Sequence, residues 1–347
     1  MGLSKYINVI RGDVMRNLTK NIGKSYSGYI KGVISNKEIN SVLICRPNHR
    51  LGNLILITPL IQEIVETFPD CKIDLFVKGN LGAILFKNYR NIDRIIQLPR
   101  KPFSNILNYV NIWIRLKNRH YDIAINVDND SSSGRLSTQF SNSTYKIYEM
   151  EGCEKTQEEI KENIHIAKGS INNFRTFMSQ LGVSSNHDSF PLLNLKLCSL
   201  EIEAGKNTLR TLVNNDKKTI CIFTYATGKK CYSTMWWEEF YERLTLEYPQ
   251  YNLIEILPVE NVSQIAFKVP SFYSRDIRQI GALIANTSVF VGADSGIMHL
   301  ASSTQIPTVG LFSDTDYKKY EPYGNQSLSI NTKNTTIDDH IQILNKI

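Results

Sequence analysis

Ser288 to Asp316 reads SVFVGADSGIMHLASSTQIPTVGLFSDTD. The apolar, β-branched run SVFVGA suits a buried strand, and Asp294, Ser295 and Gly296 follow it where a helix starts. IMHLASS supplies one or two helical turns, Ile306 and Pro307 stop them, and TVGLF is a second buried strand. The stretch therefore predicts a βαβ unit whose polar, glycine-bearing turn lies at a strand's carboxyl end, where open α/β sheets hold ligands. If Asp294 or Ser295 caps the helix, the amides of Gly296, Ile297 and Met298 are donors at the positive end of its dipole. A phosphate or diphosphate suits such a turn, and a cap with no ligand is the plainer alternative.

The preceding residues follow the same logic. Thr219 to Thr224 is a strand, and Ala226, Thr227, Gly228, Lys229 and Lys230 form a lysine-bearing turn before the helical run STMWWEEFYERL. NLIEILP is the next strand, with Glu260 just beyond it, where a carboxylate can take ribose hydroxyls. Arg275 to Ala285 is a helix, and the Ser288 stretch is expected to close this sheet.

The amino-terminal half alternates in the same way. Strands are predicted at Ser41 to Arg46, Lys72 to Gly79, Ile92 to Leu98 and Tyr121 to Asp128, with a helix over Phe103 to Lys117, which argues for a parallel, doubly wound sheet. Pro47 to Asn53 is a ligand-side loop that leads into a helix. Two strand ends are rich in polar groups: Arg46, Asn48, His49, Arg50 and Asn53 at the first, and Asp128, Asn129, Asp130 and then Arg135 at the other. Arginines can fork onto carboxylates or phosphates, and a strand-end aspartate can accept a sugar hydroxyl or its proton. Solvated loop residues are the alternative for each one alone; their coincidence at one sheet edge favours a site. His165 and His187 have no evident partners and read as surface residues. A linker between the halves falls near 190–215.

With 347 residues, 42% hydrophobic and 21% charged, the chain is long enough for two domains. Cys45, Cys71, Cys153, Cys198, Cys221 and Cys231 show no metal-like spacing and read as reduced core residues of a cytosolic protein. No apolar run approaches the roughly 18 residues of a membrane-spanning helix. The net charge of +7 is concentrated in residues 1–37, where Lys5, Arg11, Arg16, Lys20, Lys24, Lys31 and Lys37 face Asp13 alone. Leu3, Ile7, Ile10, Val14, Leu18 and Ile22, then Tyr29 and Val33, recur at helical spacing, so this leader reads as a basic amphipathic segment suited to an anionic membrane surface, or to packing on its own domain. Without a basic stripe interleaved with aromatics, nucleic acid is not an expected partner.

DSGIMHLASSTQIPTVGLFSDTD resembles the signature of glycosyltransferase family 9, the heptosyltransferase family, roughly D-[ST]-G-x-x-H-L-A, a short helix, Pro, an apolar strand and a Thr-Asp turn. LICRPNHRLGNLILITPLI is similar to that family's first strand and loop, and YATGKKCYSTMWWEEF to its lysine-bearing loop before a Trp-containing helix. The three matches fall in order between Ser41 and Gly324. The resemblance implies a GT-B architecture, two Rossmann-like doubly wound domains facing across a cleft, here with a basic helical leader: leader 1–37, acceptor domain 38–195, nucleotide-sugar donor domain 196–335 and a carboxyl-terminal helix 336–347. It further implies inverting sugar transfer, heptose above all, from a nucleoside-diphosphate donor (ADP-linked) to an anionic glycan or glycolipid such as lipopolysaccharide. Neither metal nor cofactor is expected.

Carried onto this chain, the implied donor-diphosphate binders are the Gly296 to His299 turn and Lys229 or Lys230, with Thr227 nearby. Asp294 is implied near the sugar or the helix cap, and His299 as a donor to phosphate. Arg46, Asn48, Arg50 and Arg135 are the acceptor-side candidates. Where the family often has the proposed base, an Asp after Leu-Gly, this chain has Asn53, and an amide cannot take a proton from a hydroxyl at neutral pH. Asp128, Asp130 and His49 are then the candidate bases, unless stabilisation of the leaving diphosphate carries the rate or activity is lost. A nucleotide-sugar epimerase or hydrolase on the same fold, and an inactive sugar-nucleotide-binding protein, are the alternative functions.

Overall fold

A computed structural model describes residues 17, 19, 21, 22, 39–100, 106–128, 131–148, 165–183 and 189–345. The first sheet holds β1 (Ser41–Arg46), β2 (Lys72–Lys78), β3 (Ile92–Leu98), β4 (His120–Asn126) and β5 (Asn142–Ile147), all parallel, in the order β3-β2-β1-β4-β5. The second holds β6 (Thr219–Phe223), β7 (Asn252–Ile256), β8 (Ser271–Phe272), β9 (Val289–Ala293), β10 (Thr308–Phe312) and β11 (Leu328–Asn331), also parallel, in the order β11-β10-β9-β6-β7-β8. In each sheet the chain steps outward from its first strand, then returns and builds on the other side. The strand order thus reverses between β1 and β4 and between β6 and β9, and these reversals open ligand crevices at the carboxyl edge.

β9 is therefore a central strand, not the closing edge that its position in the sequence suggested, and β11 closes the sheet instead. The run Leu51 to Phe68, expected as loop and one helix, is two helices, α1 (Leu51–Ile55) and α2 (Thr58–Thr67). The Thr58 hydroxyl donates to the Ile55 carbonyl at 2.8 Å, and Pro59, having no amide hydrogen, starts α2 in the first turn. Asn53 consequently lies on a helix, half-buried, and not in the loop.

Both faces of each parallel sheet are covered, so the central strands are continuous apolar runs. Val42, Leu43, Ile44 and Cys45 are fully buried. One core joins the two halves, running from Ile44, Leu54 and Ile61 to Met298, Leu300 and Phe290, while Trp237 and Phe240 fill the outer face of the second sheet. Cys71 and Cys221 are also buried, but Cys198 is exposed, against the expectation that the cysteines are core; Cys153 lies outside the described residues. Among the described residues, no helix is long and apolar enough to cross a membrane.

The region expected as a linker contains a short connector and then α7 (Ser199–Val213), which packs on α9 (Ile277–Ile284) of the second half. Arg278 on α9 is buried and pins this junction. Its guanidinium forks onto Glu201 of α7 at 2.6 and 2.8 Å, and it also donates to the carbonyls of Leu195 and Lys196 in the connector and of Leu85 in the first half. The Arg278 hydrogen bonds, more than anything else, hold the Glu201 carboxyl down at about 2. Of the basic leader, Thr19 is buried against the body, its carbonyl and hydroxyl each accepting from Arg135 at 2.7 Å. Most of 1–37 lies outside the described residues.

Replacing Arg278 with Met removes the cation from Glu201 and one donor from each of three carbonyls, leaving Glu201 only the Asn88 side chain and the Cys198 amide, and urea denaturation at pH 7 is expected to show a loss of about 3–5 kcal/mol. The depressed Glu201 carboxyl contributes stability above its unfolded value of 4.5 that is lost as pH falls toward about 2. The difference between wild type and Arg278→Met is therefore expected to shrink across that window.

Candidate active site

At the crevice of the second sheet, the turn after β6 and the turn after β9 meet. Thr227 and Lys229 are exposed on the first turn, and Lys230 ends a short 3-10 segment over Gly228–Lys230. The Lys230 ammonium donates to Asp294 Oδ2 at 2.5 Å; the aspartate is buried while the lysine keeps 38% of its side-chain surface in solvent. Asp294 directly follows β9 and does not cap the helix. Ser295 caps α10 (Gly296–Ser302), accepting from the Met298 amide at 3.3 Å. Glu260 stands exposed beyond β7.

At the crevice of the first sheet, the Arg46 guanidinium, buried at the end of β1, is ion-paired with Asp128 beyond β4. Asn48 shapes the loop between β1 and α1: its side-chain oxygen accepts from the Arg50 amide at 2.9 Å, and its carbonyl accepts from the Lys78 amide at 3.2 Å. His49 and Arg50 are exposed on that loop. Partial burial lowers the His49 pKa below its ordinary 6.5, and the charges of Arg100, Lys78 and Arg50 lower it further. Arg135, the fourth acceptor-side candidate, is buried in α5 (Ser132–Phe140) and bound to Thr19. Asp130, like Asn129, lies outside the described residues.

Lys78 and Arg100 are additions to the candidate set. Lys78 ends β2 and Arg100 follows β3, so a strand-end count of cations across the whole sheet, and not at β1 and β4 alone, would have found them.

The two crevices are brought together by a contact between helix starts. A Cβ on Gly52 would lie 2.7 Å from the His299 ring and one on Gly296 2.9 Å from Leu51 Cβ and 3.2 Å from the Gly52 amide nitrogen. Only the absence of both side chains lets α1 and α10 approach this closely. His299 is buried, and burial pushes its pKa well down, with Lys230 adding to the effect and Asp294 opposing it. The ring is therefore neutral at pH 7, packed on Gly52. His165, expected at the surface, is buried too: it caps α6 (Ile166–Gln180), accepting from the Ala167 amide at 3.3 Å, and stands edge-on to Tyr323 with ring centroids 4.9 Å apart. His187 lies outside the described residues. Among those residues, no group of three or more His, Cys, Asp or Glu side chains is placed to hold a metal ion.

Two doubly wound domains with crevices facing at a shared seam define the GT-B class of glycosyltransferase folds. Residues 274–344 match the model of glycosyltransferase family 9 (heptosyltransferase). Lipopolysaccharide heptosyltransferase 3 of Escherichia coli K12 is 22% identical over 288 residues, covering 78% of this chain and 82% of the relative. The fold is shared with a glycosyl transferase family 9 protein of Veillonella parvula (TM-score 0.66, 17% identity, 90% of this chain and 92% of that one). It is also shared with E. coli heptosyltransferase WaaC solved with ADP (TM-score 0.67, 14% identity, 89% and 99%). Over residues 274–344 the chain is thus similar to glycosyltransferase family 9, and it shares the fold of solved members of that family over most of its length.

Adding one methyl at the seam tests the contact between helix starts. Gly296→Ala is expected to cost about 1–3 kcal/mol in urea denaturation through overpacking against Leu51 and the Gly52 backbone. An unchanged midpoint would mean that α1 and α10 are not in contact in solution.

Proposed function

We propose that the protein is an inverting, metal-independent transferase that moves a heptose from an ADP-linked donor to lipopolysaccharide or a related bacterial surface glycan, with no cofactor. The observation that carries the reading is the Lys230–Asp294 pair at the donor-side crevice, set against the first domain's polar edge by the Gly52 and Gly296 contact. The sugar, nucleotide and acceptor are supported by what the relatives are named for: a lipopolysaccharide heptosyltransferase, and a heptosyltransferase solved with ADP.

In this reading an acceptor hydroxyl oxygen attacks the anomeric carbon as the bond from that carbon to the diphosphate breaks, the electron pair leaving with ADP. The Lys230 ammonium and the first amides of α10 meet the charge that develops on the diphosphate. Thr227, Lys229 and Glu260 bind the remainder of the nucleotide, and His299, neutral and packed, positions α10. The hydroxyl proton goes to His49. Asn53 cannot take it, and Asp128 is paired with Arg46, whereas the lowered pKa of His49 keeps its imidazole unprotonated at neutral pH.

The test is release of ADP from ADP-heptose with a heptose-accepting lipopolysaccharide core. Lys230→Ala is expected to lower kcat/KM by about 10²–10³ through loss of leaving-group stabilisation. Tight donor binding without turnover on any acceptor would contradict the transferase reading and favour the binding protein that Asn53 permits.

The pH profile separates the candidate bases. With His49 as base, kcat/KM falls on acidification with a midpoint below 6.5, and His49→Gln removes that limb while lowering the rate by about 10²–10⁴. A limb that survives in His49→Gln assigns the proton elsewhere.

The reading also places the enzyme in the cytoplasm with its basic leader on the inner face of an anionic membrane, on the strength of the leader's charge. Replacing Lys5, Arg11, Lys20 and Lys24 with Glu is then expected to abolish sedimentation with phosphatidylglycerol vesicles; unchanged sedimentation would remove the leader from the account.

A further inference from the structure

Away from the Lys230 turn, a cleft of about 670 Å³ opens where the first domain, the connector and the second domain meet. Its walls come from all three. Lys87, Asn88 and Arg90 follow α3 (Leu81–Leu85), Lys196 and Cys198 belong to the connector, and Ser303 to Gln305 follow the far end of α10. The seven residues of α10 separate it from the Asp294 turn, a rise of about 10 Å.

Its charge is one-sided. Three cations line the cleft and no carboxylate does among the described residues. Glu201 of α7, which accepts from the side chain of the lining residue Asn88 at 3.0 Å, has both oxygens on Arg278. Lys87, Arg90 and Lys196 make no ion pair among the described residues; Lys196 instead lies over the Tyr89 ring, 4.5 Å from its centroid. Partial burial, and then the nearby charge of Arg90, disfavour the Lys196 ammonium.

The opposite wall is neutral and already hydrogen-bonded. The hydroxyls of Ser303 and Thr304 donate to the Leu300 and Ala301 carbonyls at 2.6 and 2.7 Å, closing the end of α10. The Asn194 side chain accepts from the Lys196 amide at 2.7 Å. Lys196 itself is held at φ 48°, a left-handed conformation that a lysine adopts at a cost of about 1 kcal/mol. A residue held there by its surroundings, next to an unneutralised arginine, is the kind of local strain that marks binding sites.

We infer that this junction cleft is an anion site, taking the phosphate of a small phosphorylated molecule on Lys87, Arg90 and Lys196 and its neutral part against Ser303 and Thr304. The volume is that of a small-molecule pocket, about 300–1,000 Å³. Because the walls belong to both domains, an occupant ties them together. The site is independent of the transferase reading and shares no side chain with it.

Calorimetric titration with pyrophosphate tests the inference, using Lys230→Ala protein so that the donor-side ammonium does not contribute. Saturable binding is expected. It should weaken at least about tenfold when Lys87→Ala, Arg90→Ala and Lys196→Asn are added, because charge-assisted hydrogen bonds are lost. Lys87 and Arg90 are exposed and asparagine tolerates a left-handed φ, so the added changes leave the fold intact; an unchanged melting temperature confirms it. Absence of saturable binding by the Lys230→Ala protein, or equal affinity with and without the three added changes, would overturn the site.

Discussion

The arrangement depends on one steric constraint, the missing side chains at Gly52 and Gly296. Each glycine stands at the start of a short helix, and each helix begins where its own sheet's crevice opens. Because neither residue carries a Cβ, the start of α1 reaches the backbone of α10 and the His299 ring lies on Gly52. The two carboxyl edges, which separate domains would present to solvent in any relative direction, are thereby turned toward each other. A continuous apolar core behind the contact and the Arg278 network at the junction hold that orientation.

Among the described residues, each crevice carries a basic and acidic pair, Arg46 with Asp128 and Lys230 with Asp294. Their surroundings differ. Arg46 is buried and its partner partly exposed, so the first pair fixes a strand end; in the second the aspartate is buried and the lysine half-exposed, so the ammonium is the part available to a ligand. A pair of this kind adds little net stability once desolvation is counted, and orienting the lysine is its main consequence.

Much of this was legible in the sequence because buried parallel strands are apolar on both faces. SVLICR and TVGLF announce themselves, and so do the polar turns that follow the strands. What was not legible required tertiary partners. Asp294 and Ser295 are both good caps, and only the position of Lys230, 64 residues earlier, decides that Ser295 caps while Asp294 pairs. His165 looked unpartnered because Tyr323 and the Ala167 amide reach it only in the folded chain. The sheet position of β9 was misread because the order of strands in a doubly wound sheet is not their order in the chain. Lys78 and Arg100 were missed because a cation at a strand end gains meaning only beside the neighbouring strand.

Ligand binding at the paired crevices is read most directly by amide hydrogen exchange with and without ADP. Protection is predicted in peptides covering Ala226 to Cys231 and Asp294 to His299, the two turns that flank the Lys230–Asp294 pair. No change in either peptide at saturating ADP, or protection confined to other parts of the chain, would contradict the assignment of the second domain's crevice to the donor.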